Sequence, residues 1–263
     1  MGQFDKFLAK MHQEGVTSAI MSVARFALRK LAIAGYEPPY EYVQKDVQRN
    51  LHRYLRTNRS KVRDIIIVGT HLGHEVPSML RRYPDLRFRL FEASPRYIGA
   101  LRRRFASERR VLVYECAVTD SDGSKTFFET NLDGSGSLLR VADLARVSYG
   151  MRQAETYKVA AVRLDTHAYD NGYQHDTIDC LWIDVQGAEM EVLRGAVKTL
   201  AHTRSVFVEI SVFRPVYEGG SLFEEIEQHL MNHGFRAVSI GTDAGNGTGN
   251  AFFIRRPQAR SAQ

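Results

Sequence analysis

The hydrophobic pattern changes its period near residue 64. Before that point, apolar side chains fall at Ile20, Val23, Ala24, Ala27, Leu28 and Leu31, the spacing of one helical face. Gly35 and Pro38-Pro39 end that segment. Val43, Val47, Leu51 and Leu55 mark the face of a second helix over Glu41–Arg56. From Asp64 onward short β-branched runs take over. Ile65–Val68 is apolar throughout, as in a parallel strand buried on both faces. Similar runs stand at Phe88–Phe91, Val111–Cys116, Ile178–Ile183 and Val206–Ile210, separated by helical stretches at about 75–82, 95–105, 187–200 and 221–233. Strands alternating with helices predict an α/β domain with a mostly parallel sheet covered on both faces. The right-handed crossover rule leaves few topologies for it.

Two features interrupt the alternation. Residues 120–165 hold a Thr-Phe-Phe-Glu-Thr run, a Gly/Ser tract and Tyr-Lys-Val-Ala-Ala-Val, which predict a strand-loop-strand insertion. Arg236–Ile240 and Ala251–Ile254 flank the Gly-rich stretch Gly241–Gly249 and predict a terminal antiparallel hairpin at a sheet edge. The expected organisation is a helical extension over 1–60, the α/β domain over 61–256 and a flexible tail over 257–263. The extension carries no motif; packing on the domain, covering a ligand and supporting a homodimer are all open to it.

Composition narrows the class. A chain of 263 residues, 44% apolar and 25% charged, suits one large soluble domain rather than two full-sized enzyme domains. No run approaches the roughly 20 apolar residues of a membrane span, and the N-terminal stretch lacks the apolar centre of a secretory signal. Cys116 and Cys180 sit in strand-like runs and read as reduced, buried thiols, so a cytoplasmic location is expected. Two cysteines offer no zinc-ligand spacing. Much of the +6 charge is arginine, as in Arg102-Arg103-Arg104. Solvated helix faces are the plain reading of these arginines; peripheral contact with an anionic membrane is open to them. No nucleic-acid motif accompanies them, so no nucleic-acid partner is expected.

Three motifs carry chemistry. Val68-Gly69-Thr70-His71-Leu72-Gly73-His74 follows a strand and opens a helix, where glycines admit a ligand close to backbone N–H groups. The spacing is Gly-x-x-x-Gly, not the Gly-x-Gly-x-x-Gly of dinucleotide enzymes. Glu92 closes the second strand, 23 residues after Gly69. By itself it fits a surface charge; behind a glycine turn at this distance, a carboxylate holding both ribose hydroxyls is favoured, and it would repel a phosphorylated ribose. Asp184 closes the apolar strand Leu181-Trp182-Ile183 and faces the crevice where open α/β sheets bind ligands. Capping the following helix is the structural alternative for it.

Together these residues resemble the FkbM family of S-adenosylmethionine-dependent methyltransferases, over roughly residues 63–255. The most specific part is Ile183-Asp184-Val185-Gln186-Gly187-Ala188-Glu189, similar to the family's Ile-Asp-Val-Glu-Gly-Ala-Glu block. Supporting pieces are Phe91-Glu92, Cys116-Ala117-Val118, Gly134-Ser135-Gly136-Ser137, Arg163-Leu164-Asp165-Thr166 and Val208-Glu209-Ile210. The resemblance implies a Rossmann-like class I methyltransferase fold with a seven-stranded sheet, S-adenosylmethionine as cofactor, a small-molecule or glycan acceptor as partner, and O-methylation of sugar or natural-product hydroxyls, with a sugar hydroxyl of a glycolipid, polysaccharide or glycosylated metabolite the expected acceptor. The chain departs from the family at Ile67, where an Asp is usual, at His71 in place of Asn, at Ala93 in place of Pro, and at Gln186 in place of Glu.

The resulting expectations are specific. Glu92 holds the ribose, with Ala93 beside it; Gly69, Thr70, His71 and Gly73 shape the methionine pocket; Ala117 and Val118 flank the adenine; Asp184 borders the cofactor. Asp184 is the expected general base, with Glu209 second and His71 third. Ser135, Ser137, Gln186, Glu189, Phe213, Arg214 and Tyr217 are the expected acceptor-side residues. Metal-independent activity is expected, because the helical position of Glu189 turns it away from Asp184. Two rival readings are a NAD-dependent oxidoreductase or epimerase, and a non-catalytic Rossmann-like binding domain.

Overall fold

A computed structural model describes residues 47–58, 62–242 and 247–257. The chain divides into two units, 1–41 and 42–263. The first unit, and with it the helix expected around Val16–Leu31, lies outside the described residues, as does the tail from residue 258.

The second unit is built on a seven-stranded sheet. Its strands are β1 (Asp64–Val68), β2 (Arg87–Glu92), β3 (Val111–Glu115), β7 (Cys180–Ile183), β8 (Ser205–Ser211), β9 (Phe235–Thr242) and β10 (Thr248–Arg255), in the order β3-β2-β1-β7-β8-β10-β9. β10 runs antiparallel to both neighbours, and the five strands from β3 to β8 are parallel. This is the class I methyltransferase arrangement. The order reverses between β1 and β7, which places a crevice at their C-terminal ends.

The expected hairpin forms, but its second strand does not lie at the edge. β10 inserts between β8 and β9. Ala251, Phe252 and Phe253 are fully buried, whereas β9 exposes alternate positions at its start. The strand that is apolar on both faces takes the interior place, and the alternating one takes the edge.

The helices are α1 (Val47–Thr57), α2 (Val76–Arg82), α3 (Pro95–Phe105), α4 (Asp143–Tyr149), α5 (Leu164–Asp170), α6 (Glu189–Arg194), α7 (Val197–His202) and α8 (Phe223–Asn232). The single helix expected over 187–200 is broken at Gly195, where a Cβ would lie 2.0 Å from the Thr119 carbonyl oxygen. Asp165 then caps the second piece, accepting from the backbone N–H groups of Lys198 and Thr199 at 2.9 and 2.8 Å. The insertion is a second sheet in which β6 (Gln153–Val162) pairs with β4 (Ala117–Val118) and β5 (Gly123–Thr130). Its Gly/Ser tract returns to β5 through a bridge between Phe128 and Ser137.

One core holds α1 to the sheet. Val47, Leu51 and Leu55 are buried with Ile65, Phe88, Trp182, Phe207 and Phe252, and Tyr54 meets Phe252 edge-on at 5.7 Å between centroids. The helix after the two prolines therefore packs with the sheet unit. Leu51→Ala removes a fully buried side chain and is expected to lower unfolding free energy by about 2–5 kcal/mol in denaturant titrations. A change near zero would mean that α1 is only loosely attached.

Candidate active site

The glycine turn is where β1 and β7 meet. Gly69 has φ +79°, and a Cβ there would lie 1.7 Å from the Asp184 carbonyl oxygen. Only glycine fits such an approach. Asp184 N donates to the Val68 carbonyl at 2.9 Å, while Gly69 N and Thr70 N donate to the Phe91 carbonyl at 3.0 and 3.1 Å. The Thr70 hydroxyl is buried against the carbonyls of Ile67 and Phe91. It ties the turn to the strands instead of reaching the cavity. Ile67 itself is in the core, so turn support falls to Thr70. Gly73 lies against Leu101 and Phe105 of α3 and seats that helix rather than lining the cavity.

His71 adopts φ +53°, a left-handed conformation for which Asn, Asp and His are enriched. Its N–H donates to Glu92 Oε2 at 2.6 Å, and Ser94 N donates to Glu92 Oε1 at 2.8 Å. Glu92 is buried at the cavity wall. Burial pushes its carboxyl up to about 7, against the pull of those N–H groups. Each oxygen keeps a lone pair beyond its backbone donor.

The cavity has a volume of about 220 Å³ and opens at the strand ends. Of the residues singled out in the sequence, Gly69, His71, Glu92, Ala93, Ala117, Val118, Asp184 and Gln186 line it; Thr70, Gly73, Ser135, Ser137, Glu189, Glu209, Phe213, Arg214 and Tyr217 do not. Apolar walls come from Ala117, Val118, Phe127 and Leu138. A roof that sequence reasoning missed comes from Tyr97, Asp133 and Gly134. The Tyr97 hydroxyl donates to Asp133 Oδ1 at 2.9 Å and accepts from Gly134 N at 3.0 Å. His71 Nε2 lies 3.4 Å from Asp133 Oδ2, and the His71 ring meets Tyr97 edge-on at 4.2 Å. The hydrogen bond from Tyr97, with His71 beside it, holds the Asp133 carboxyl below its usual range. The Asp-Gly pair inside a Gly/Ser tract was the available signal for this turn.

The opposite wall holds an acidic cluster. Asp184 and Glu209 are hydrogen-bonded to each other. Gln186 Nε2 donates to Asp184 Oδ1 at 2.7 Å and to Glu209 Oε2 at 3.0 Å. Burial, then the charges of Asp184 and Glu189, raise the Glu209 carboxyl well above the ordinary range. Burial raises Asp184 as well, while the hydrogen bonds from Glu209 and Gln186 oppose it. The hydrogen bonds on Asp184 thus work against its burial, whereas the neighbouring charges add to the burial of Glu209.

The other acceptor-side candidates lie behind this pair. Glu189 is buried with its carboxylate turned inward, accepting from Gly187 N at 2.9 Å and Val185 N at 3.3 Å. It pins the loop instead of facing an acceptor. The Ser137 hydroxyl donates to the Gln186 carbonyl at 2.8 Å, and Ser135 Oγ donates to the Leu132 carbonyl at 2.8 Å. Tyr217 is buried with its hydroxyl 2.8 Å from the Ser135 carbonyl oxygen and 3.0 Å from Gln186 Oε1. Phe213 is exposed on the loop after β8, its ring against Gly247, and Arg214 is half-buried beside it. Among the described residues, no group of three or more His, Cys, Asp or Glu side chains is arranged to hold a metal. No helix among them is long and apolar enough to cross a membrane.

This arrangement fits a nucleoside cofactor: a buried carboxylate with spare lone pairs, an apolar slot next to it, and a glycine turn open to backbone contact. Fold and cavity together define a class I methyltransferase. The methyltransferase FkbM domain matches residues 68–237, more than half of the chain, and the protein belongs to that family. It is a methyltransferase whose cofactor is S-adenosylmethionine, and membership of this family sets aside the dinucleotide and non-catalytic readings. The chain is 29% identical to the 2-O-methyltransferase NoeI of Sinorhizobium fredii (strain NBRC 101917 / NGR234), covering 64% of this chain and 72% of that protein. It is 27% identical to the methyltransferase sdnD of Sordaria araneosa, covering 65% and 73%. Among solved structures, the methyltransferase SibL aligns at 10% identity and a TM-score of 0.41 over 95% of this chain and 73% of that one.

A raised carboxyl leaves a signature in stability. The folded state of Glu92 binds its proton more tightly than the unfolded chain, so its contribution is complete below the unfolded value and is lost as pH rises through about 7. Glu189, also pushed to about 7 by burial, acts in the same direction. The melting temperature of the protein without cofactor is expected to fall between about pH 5 and about pH 8, and Glu92→Gln to remove part of that slope. The same variant is expected to weaken S-adenosylhomocysteine binding about ten-fold or more by calorimetry. Unchanged slope and affinity would take Glu92 out of the site.

Proposed function

We propose that the chain transfers the methyl group of S-adenosylmethionine to a hydroxyl oxygen, most suitably a sugar hydroxyl of a glycolipid, polysaccharide or glycosylated metabolite. The observation that carries this reading is the Asp184 carboxyl on the cavity wall at the end of β7, joined to Glu209 behind it through the Gln186 amide. A sugar hydroxyl is a weak nucleophile and needs a base as it reacts. The relative NoeI carries the name 2-O-methyltransferase, which supports an oxygen acceptor.

In this reading Glu92 holds the ribose, Ala117, Val118, Phe127 and Leu138 enclose the adenine, and the backbone at Gly69 and His71 faces the methionine end. When bound, S-adenosylmethionine supplies a methyl group already activated by a positively charged sulfur. Asp184 orients the acceptor hydroxyl and takes its proton as the new carbon–oxygen bond forms and the carbon–sulfur bond breaks. The Asp184–Glu209 pair passes from one negative charge to none in that step. The site therefore loses its negative charge as the sulfur loses its positive one, and no uncompensated charge is left buried.

Asp184→Asn keeps the size of the side chain but cannot take the proton. Single-turnover rate at saturating cofactor is expected to fall by about 10²–10⁴-fold, with cofactor affinity little changed. Near-wild-type chemistry in the folded variant would overturn the assignment and move the role to Glu209. Incubation with labelled S-adenosylmethionine and a panel of glycolipids, oligosaccharides and glycosylated metabolites, read by mass shift, tests the acceptor class. Methylation confined to carboxyl or amine acceptors would overturn it.

A further inference from the structure

We propose that Gln186 is a positioning residue that bridges Asp184 and Glu209 and sets them as one base. Its amide offers one N–H to each carboxyl, at 2.7 and 3.0 Å, and adds no charge of its own. The inference rests on the reading of Asp184 as the base.

The rest of the residue is built to aim that amide. Gln186 sits at φ +57°, an unusual conformation for a residue with a side chain. Its carbonyl is held by the Ser137 hydroxyl, and the Tyr217 hydroxyl stands 3.0 Å from its Oε1. The Tyr217 hydroxyl has one proton to share between Gln186 Oε1 and the Ser135 carbonyl oxygen, and the amide nitrogen is on the side of the acids. The residue therefore ties together three segments: the loop after β7, the Gly/Ser tract of the insertion and the chain after β8.

Donors on the charged form favour ionisation, so the amide keeps one member of a crowded pair ionised. The neighbours push in different directions. His71 on the glycine turn favours the charge on Asp184, while Glu75 at the head of α2 and Glu189 at the head of α6 oppose ionisation in the cluster. Tyr217 remains a neutral phenol, since burial and the same three acids, Glu209, Glu189 and Asp184, raise its ionisation far above neutrality. Gln186 is the group in this ring that bonds to both carboxyls.

The charge of the pair can be read without an acceptor. S-adenosylmethionine carries a positive sulfur and S-adenosylhomocysteine a neutral one, so the ratio of their affinities reports the negative charge beside the sulfur. Titration of Glu92 acts on both ligands alike and cancels in the ratio. Calorimetry with both ligands from about pH 5 to about pH 9 is expected to show the preference for S-adenosylmethionine rising with pH through the ionisation of the pair. Gln186→Met removes both donors, and Gln186→Asn, which suits the left-handed backbone, is too short to span both acids. Each is expected to move the midpoint up by about one pH unit, about ten-fold in charged fraction below it. Melting curves identify which variants are folded. Folded variants of both kinds with the wild-type midpoint would overturn the role of Gln186. Asp184→Asn is expected to abolish the pH dependence of the ratio. If it abolishes that dependence while the Gln186 variants leave the midpoint unmoved, only the present inference fails. If Asp184→Asn keeps the wild-type profile, the base reading fails with it.

Discussion

The ends of β1 and β7 can meet at the cavity floor because residue 69 has no side chain. With a Cβ at 1.7 Å from the Asp184 carbonyl, one of the two turns would have to withdraw. Several features depend on that contact. The Asp184 N–H reaches the Val68 carbonyl, and the turn N–H groups reach Phe91 on β2. The turn can then present the His71 N–H to Glu92. One missing methyl group thus fixes the separation between Glu92 and Asp184 on the cavity wall. A loop alone could not hold that spacing; three strand ends cross-linked by backbone hydrogen bonds can.

The two ends of the sheet treat buried acids differently. At the N-terminal end of β1, Asp64 is ion-paired with Arg87 and Arg89, and Asp179 with Arg204. These are charges neutralised by partners, and they hold strands together. At the C-terminal end, Glu92 and Glu189 are met by backbone N–H groups, and Asp184 and Glu209 by each other and an amide. Burial without a cationic partner pushes these acids upward. The perturbed acids and the cavity fall at the same end of the sheet.

Much of this was legible in the sequence where a residue type has a single physical use. Apolar β-branched runs identified the parallel strands, and acids closing two of them identified Glu92 and Asp184. Patterns that depend on distant contacts were not legible. The break at Gly195 follows from the Thr119 carbonyl, and the interior place of β10 from burial of both its faces. Tyr97 gave no signal, because one hydroxyl on an amphipathic helix reads as surface until Asp133 and Gly134 are folded over it. Ser135, Ser137, Glu189 and Tyr217 were placed near the acceptor by their neighbourhood in the chain. Their side chains turn the other way, because the backbone groups of the loops they belong to need partners first.

Departures from the family block make physical sense when taken together. Ile67 gives up an acid within the core, and the Thr70 hydroxyl supplies the tie to the carbonyls of Ile67 and Phe91. His71 retains the left-handed turn and brings a ring that packs on Tyr97 beneath the roof. Gln186 exchanges an acid for an amide where Asp184, Glu189 and Glu209 already crowd one another. A further carboxylate at hydrogen-bonding distance from two others would demand another proton, since like charges that close cannot all ionise. The amide removes that demand and still bonds to both neighbours. Each exchange removes charge from the cavity floor or keeps a backbone path, so Asp184 and Glu209 share their corner with an amide rather than with one more acid.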